Sequence, residues 1–143
     1  MTGREDPEMP LVFRYEIAVE DIGRVEGSTR LLPPLFPSSL TASFARLASR
    51  ERTQIVPASA LDVRVAIHAP AGARVEASED RSFEGREGMT VRYASERTAD
   101  GLVTTRSVRM HRMRIPPAEY PSFATLCRDI DEHEQREVRV SAP

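Results

Sequence analysis

Apolar and polar residues alternate with a period of two over most of this sequence, and the period changes clearly to three or four residues after Ile115. Only an extended strand places successive side chains on opposite faces, so each alternating run predicts a half-buried strand. The clearest run ends at His68, with Leu61, Val63, Val65 and Ile67 on one face. The pattern therefore predicts a mostly β chain.

Other alternating runs predict the neighbouring strands. They cover residues 12–20, 24–31, 89–96 and 102–115. A turn at residues 21–23 predicts that the first two runs form a hairpin, and the Asp-Gly turn at 98–101 pairs the other two. Shorter strands are predicted around Val75 and over Val138–Val140, with Phe83 as the one buried candidate of the polar stretch 78–87. Because alternation weakens after Val108, we expect the end of the 102–115 strand to be an exposed or edge section with a bulge that shifts the register.

The clear change of period after Ile115 predicts an amphipathic helix over about 119–134. Pro116 and Pro117 stop the sheet, and Pro121 fits the first turn of a helix, where no backbone donor is required. The apolar stripe consists of Tyr120, Phe123, Leu126, Cys127 and Ile130, whereas Arg128, Asp129, Glu132 and Glu134 lie outside it.

The stretch 38–53 has two readings. Leu40, Phe44 and Leu47 have helical spacing, with Ser39 or Thr41 as a candidate N-cap. An irregular strand leading into Ile55-Val56 fits almost equally well, and the pattern does not separate the two.

These elements predict an antiparallel β-sandwich, Ig-like and of about seven to eight strands, closed by one C-terminal amphipathic helix. Residues 1–10 are predicted to be a flexible lead-in, and residues 11–143 a single domain. No repeat or second domain boundary is visible in the sequence.

Composition narrows the classes of partner. The net charge of -2 gives no reason to expect nucleic acid as a partner, although all 20 basic residues are arginine. No apolar run approaches the roughly 18–20 residues of a membrane span, and the acidic N-terminus does not resemble a signal peptide.

No catalytic site is predicted. Cysteine-based nucleophilic catalysis needs an exposed thiol with a histidine beside it, but Cys127 lies within the apolar stripe, where free cysteine behaves as a small hydrophobe. His133 lies about two helical turns further on, so the two side chains do not meet. The sequence also lacks a serine-nucleophile elbow and a glycine-rich phosphate loop.

No metal or cofactor site is predicted either, since His68, His111 and His133 are dispersed and lack ligand spacing. His68 and His111 fall on strands and could be neighbours in space, but outward polar positions explain them better. The acidic run formed by Asp129, Asp131 and Glu134, together with His133, is read as a solvated helix face.

One basic cluster stands out, formed by Arg106, Arg109, Arg112 and Arg114. It could bind an acidic partner, but charges of this kind more often protect an edge strand from unwanted pairing.

The order of motifs resembles a known family. Leu40-Thr41 and Phe44 are followed by the 61–67 strand, by Gly-Leu-Val-Thr at 101–104, by Ile-Pro-Pro-x-x-Tyr-x-x-Phe at 115–123 and by a closing Val-Arg-Val. Over about residues 11–140 this resembles the C-terminal β-rich domain of bacterial transglutaminase-like proteins, although the turn after the 61–67 strand departs from the usual Leu-Pro form. In that family the domain follows a papain-like Cys-His-Asp core, and the proteins are generally exported to the periplasm or cell surface.

The resemblance implies a non-catalytic accessory domain whose partner is a transglutaminase-like catalytic domain or another protein. No catalytic residue of that family transfers, because those residues lie in a domain that these positions do not contain. An alternative function is a β-sandwich module that binds carbohydrate or an envelope polymer, which the shortage of aromatic residues disfavours. A small hydrolase using Cys127 is the least favoured reading.

Overall fold

The computed structural model describes residues 22–36, 39–76, 79–85 and 88–142. Ten strands and two helices follow in the order β1 (Arg24–Glu26), β2 (Thr29–Leu32), α1 (Leu40–Phe44), β3 (Gln54–Val56), β4 (Ser59–His68), β5 (Arg74–Glu76), β6 (Arg81–Glu84), β7 (Met89–Thr98), β8 (Gly101–Met110), β9 (Met113–Ile115), α2 (Tyr120–Glu134) and β10 (Val138–Ser141). The predicted mostly β class with one C-terminal helix is confirmed. The predicted lead-in at 1–10 and strand at 12–20 lie outside the described residues.

The strands form three antiparallel sheets. Two have four strands, in the orders β1-β2-β10-β5 and β4-β8-β7-β6, and the third pairs β3 with β9. The count exceeds the predicted seven to eight because two predicted strands each divide and because the short strand β6 was not predicted.

The largest sheet is built on the β7–β8 hairpin, which confirms the predicted turn. Thr98 pairs with Gly101, and the ladder continues to Met89 opposite Met110. Gly101 is required here, since a Cβ on it would lie 1.9 Å from the carbonyl oxygen of Ile67. On the other side of β8, β4 pairs over its full length from Ser59 to His68.

The predicted strand over 24–31 is wrong as a single element. It folds back on itself as the β1–β2 hairpin, in which Glu26 pairs with Thr29 across a two-residue turn. Gly27 adopts a φ of +61°, in the left-handed region that such turns require and that glycine enters without a steric penalty. An alternating pattern crosses this tight turn without interruption, so the sequence conceals it.

For the stretch after Val108, the predicted exposure is confirmed at Arg109, His111 and Arg112, but the predicted bulge is wrong. Strand β8 ends at Met110 and lies between β4 and β7, and the chain then crosses to the small sheet, where Met113 of β9 pairs with Val56. The loss of alternation thus marks a change of sheet and not a bulge at an edge.

The helical reading of 38–53 is confirmed for five residues, and no strand lies within the described residues 39–53. Residues Leu40–Phe44 form the short helix α1, whose N-cap Ser39 accepts a hydrogen bond from the Ala42 amide. Leu47 lies beyond the helix and is exposed, and the strand at Ile55-Val56 begins only at Gln54, as β3.

Helix α2 covers the inner face of the large sheet and forms the main core with it. Tyr120, Phe123, Cys127 and Ile130 are buried, as the stripe predicted. They pack with sheet residues that include Phe83, Val91 and Val108, and a second cluster surrounds Val75, Leu102 and Val138. In the described part of the chain, no helix is long and apolar enough to cross a membrane.

Candidate functional site

Cys127 lies in the core stripe of α2, where its side chain is fully buried. Burial raises the pKa of the Cys127 thiol to about 12, and the negative charge of Asp131 adds to the effect. At neutral pH almost none of the thiol is therefore ionised, and the thiolate is the reactive form. The position favours packing over nucleophilic chemistry.

We expect the Cys127 thiol to react very slowly with a disulfide reagent such as Ellman's reagent at pH 7. In 6–8 M urea the same thiol should react at the rate of an ordinary cysteine, because unfolding removes the burial that raises its pKa. The measurement is the absorbance of released thiolate with time. Fast, stoichiometric reaction in the native state would contradict this placement.

The three histidines do not come together. His68 pairs with Gly101 at one end of the β4–β8 ladder, whereas His111 follows Met110 at the other end, roughly 30 Å away. The exposed His68 Nδ1 lies 2.7 Å from Asp100 Oδ2, and this hydrogen bond lowers the pKa of the Asp100 carboxyl. The idea that His68 and His111 are neighbours is wrong.

His133 is buried rather than solvated. Its ring centroid lies 4.6 Å from that of Tyr93 and 5.7 Å from that of Phe83. Burial lowers the pKa of the His133 imidazole, with Arg136 and Arg81 contributing to the same direction. A neutral imidazole at pH 7 therefore acts here as an aromatic packing group at the end of α2.

In the acidic run at the end of α2, Asp129 is exposed as expected, whereas Asp131 is only partly exposed and has partners within the fold. Asp131 reaches across to α1, where its carboxylate accepts hydrogen bonds from the Leu40 and Thr41 amides at 2.8 and 2.9 Å. It also accepts a hydrogen bond from the Ser39 hydroxyl at 2.9 Å. Among the residues that the structure describes, no group of three or more His, Cys, Asp or Glu side chains is arranged to hold a metal ion.

A buried ion pair joins the sheet to α2. Arg106 of β8 donates from Nε to Glu134 of α2, and both side chains are almost fully buried. The Tyr93 hydroxyl donates to the same Glu134 oxygen, and burial together with this hydrogen bond raises the pKa of the Tyr93 phenol. The reading of Arg106 as part of a surface cluster, and of Glu134 as solvated, is therefore wrong.

The sequence pattern does predict that both residues of this ion pair are buried. Glu134 follows Cys127 by seven residues and Ile130 by four, which places it on the buried stripe of α2. Arg106 alternates with Thr104 and Val108 on the inner face of β8. Their charges favour a surface prediction for both residues, although their positions in the pattern place them on buried faces.

The remaining arginines of the predicted cluster are separated. Arg109 lies on the outer face of the large sheet and donates to Asp62 at 2.7 Å. Arg112 is in the exposed link between sheets, and Arg114 pairs with Ile55 in the small sheet. They do not form one basic surface.

A groove of about 400 Å³ opens beside α2, next to strands β7 and β9. Its lining is mainly apolar. The apolar members are Met89, Met113, Ile115, Ala118, Phe123 and Leu126, and the others are Gly85 and the polar residues Glu84, Glu119 and Ser122. Met89 and Met113 are buried, whereas Leu126 is only partly covered. This volume lies within the range of small-molecule and side-chain pockets, so the groove could accept an apolar side chain or a small apolar ligand.

Two other cavities are poorer candidates. One of about 30 Å³ borders Tyr93, His133 and Glu134 and has room only for water. Another of about 270 Å³ lies among turn residues 69–73 and 97–101. The groove beside α2 is therefore the candidate functional site.

Comparison with known proteins places the chain in a family. A family described as a domain of unknown function with a solved structure, DUF3858, matches residues 28–140, which is most of the chain. The chain belongs to the DUF3858 family. This match confirms the expected domain of unknown function, whereas the association with a transglutaminase-like protein remains a prediction.

A solved structure shares the fold of this DUF3858 domain. It is the crystal structure of a protein from Parabacteroides distasonis described as a putative protease, with a TM-score of 0.61 and 12% sequence identity. The match covers 82% of the DUF3858 chain but 24% of the other protein, so the chain corresponds to about a quarter of that protein's length. No curated protein matches the chain.

Proposed function

We propose that this DUF3858 domain is a non-catalytic accessory domain that docks on a neighbouring catalytic domain of the transglutaminase-like type. The observation that carries the proposal is the groove beside α2. Its apolar lining includes the partly covered Leu126, and covering such a surface releases water from apolar groups.

Two further observations support the proposal. The ordered motifs from Leu40 to the closing Val-Arg-Val resemble the domain that follows a papain-like core. The structurally similar protein is about four times as long as its matched part and is described as a putative protease. Both are consistent with a polypeptide in which the chemistry resides in another domain.

The chemistry of the described residues is consistent with an accessory role. Cys127 is buried with a raised thiol pKa, and His133 packs between aromatic rings. If any turnover is found with the purified chain, Cys127→Ser should leave it unchanged. Loss of turnover in that variant would contradict the proposal.

The first test is to read the coding sequence upstream of this chain, where we expect an in-frame papain-like domain with a Cys-His-Asp set. The second is hydrogen exchange measured by mass spectrometry on peptides spanning 113–126. In the intact polypeptide these peptides should exchange more slowly than in this chain alone, because the neighbouring domain covers the groove.

Two matched variants make the exchange test specific. Leu126→Glu places a charge in the groove and should remove the added protection. Leu47→Glu makes the same change at an exposed position outside the groove, so it should leave the added protection of these peptides unchanged. Equal exchange of the intact protein and the single domain would contradict docking. Protection of the same peptides by soluble envelope glycans would instead favour the ligand-binding alternative.

A further inference from the structure

Strand β4 is a long edge strand. It pairs with β8 along one side, and no strand covers its other side among the residues that the structure describes. It has ten residues, whereas β1, β5 and β6 at the other ends of the four-stranded sheets have three or four. A long open edge presents a row of backbone N–H and C=O groups that can pair with a further strand.

The side chains of β4 make this edge suited to association. The strand contains no proline or glycine that would interrupt pairing. The face of β4 that points toward the core carries Leu61, Val63, Val65 and Ile67. These side chains are only partly covered, and Leu61 is 47% exposed. Pairing with another strand would therefore bury apolar side chains as well as backbone polar groups.

The charges of β4 are complementary to a second copy of β4. Asp62 and Arg64 lie two residues apart on the outer face. If two copies pair antiparallel about Val63, each Asp62 faces the Arg64 of the other copy. A register centred on Asp62 would place the two Asp62 side chains opposite each other, and one centred on Arg64 would do the same with the two arginines. A register shifted by one residue would place inner-face side chains opposite outer-face side chains.

We propose that two copies of this chain associate through their β4 edges, antiparallel about a two-fold axis at Val63. In this register Leu61 meets Val65 of the second copy, and Val63 meets Val63. The two large sheets become one continuous sheet with an isologous interface.

The ionic contacts of β4 complete the arrangement. Asp62 accepts a hydrogen bond from Arg109 at 2.7 Å, and this contact lowers the pKa of the Asp62 carboxyl, so the carboxylate is charged at neutral pH. Arg64 is exposed and has no ion-pair partner in the described part of the chain. In the dimer Asp62 would lie between Arg109 of its own chain and Arg64 of the second copy.

The interface and the groove are separate surfaces. The groove lining contains no residue of β4, so either proposal can fail without the other.

The first experiment measures the mass of the full chain by light scattering and sedimentation over a range of concentrations. We expect a dimer of twice the 16.0 kDa chain mass. Arg64→Glu should weaken dimerisation by about tenfold or more, since it puts like charges opposite each other twice. Arg92→Glu, the same change on the outer face of β7, should leave it unchanged.

A charge-exchange variant tests the register. Asp62→Arg combined with Arg64→Glu restores opposite charges across the two-fold axis and should recover dimerisation relative to Arg64→Glu alone. A monomer at all concentrations, or equal effects of Arg64→Glu and Arg92→Glu, would overturn the proposal.

Cysteine cross-linking tests the position of the axis. Val63→Cys should form an interchain disulfide under mild oxidation, because directly opposed Cα atoms lie about 4.5–5.5 Å apart. Leu61→Cys is the control, since its two copies would lie about 13 Å apart although position 61 is more exposed. Equal cross-linking of both variants, or cross-linking only at position 61, would refute this register.

Discussion

Replacing Glu134 with leucine should lower the free energy of unfolding by about 3–5 kcal/mol. The change leaves Arg106 charged in a buried position without the carboxylate that accepts its Nε hydrogen bond. It also removes the acceptor of the Tyr93 hydroxyl. Urea denaturation followed by circular dichroism would measure the loss.

The control for this prediction removes the charges together. Arg106→Met combined with Glu134→Leu, in a Tyr93→Phe background, should be much closer to wild type than Glu134→Leu alone. Replacing a whole buried ionic group by apolar residues of similar volume is often nearly neutral. If the combined variant is as unstable as the single one, the loss arises from packing and not from the broken Arg106–Glu134 ion pair.

Truncating Tyr120 to alanine should destabilise the chain by about 3–5 kcal/mol. The Tyr120 side chain is fully buried at the start of α2, where it anchors the helix in the main core. Its hydroxyl donates to the carbonyl oxygen of Leu47 at 2.9 Å. The melting temperature should fall on the order of 10 °C, as differential scanning calorimetry would show.

A conservative variant separates the two contributions of Tyr120. Tyr120→Phe keeps the ring and removes only the hydrogen bond to Leu47, so it should cost about 1 kcal/mol. Phe123→Ala should fall in the same range as Tyr120→Ala. An unchanged melting temperature for both alanine variants would contradict the packing of α2 on the sheet.

The elements that could be predicted from the sequence are those whose pattern is local. Strand β4, the β7–β8 hairpin and helix α2 each carry a clear period and a turn or proline signal at their ends. The β1–β2 hairpin was missed because alternation passes unbroken through Gly27. The crossing from β8 to β9 was misread because loss of alternation does not show where the chain goes next.

The polar interior was predicted less well because it depends on pairing between distant elements. Arg106 and Glu134 are 28 residues apart, and each looks like a surface charge when read by its side chain alone. The groove beside α2 could not be predicted, since it arises from the way β7, β9 and α2 meet. The core positions of Cys127 and Phe123 were predicted because their helical spacing is sufficient.

The cap that Asp131 places on α1 has a consequence for the order of folding. A helix of five residues does not persist on its own, because its first turn costs more conformational entropy than its few hydrogen bonds return. The groups that complete α1 lie about 90 residues away in sequence, so closing that long loop precedes stable formation of the helix. We therefore expect helix α1 to form late in the folding reaction, on α2 as its template.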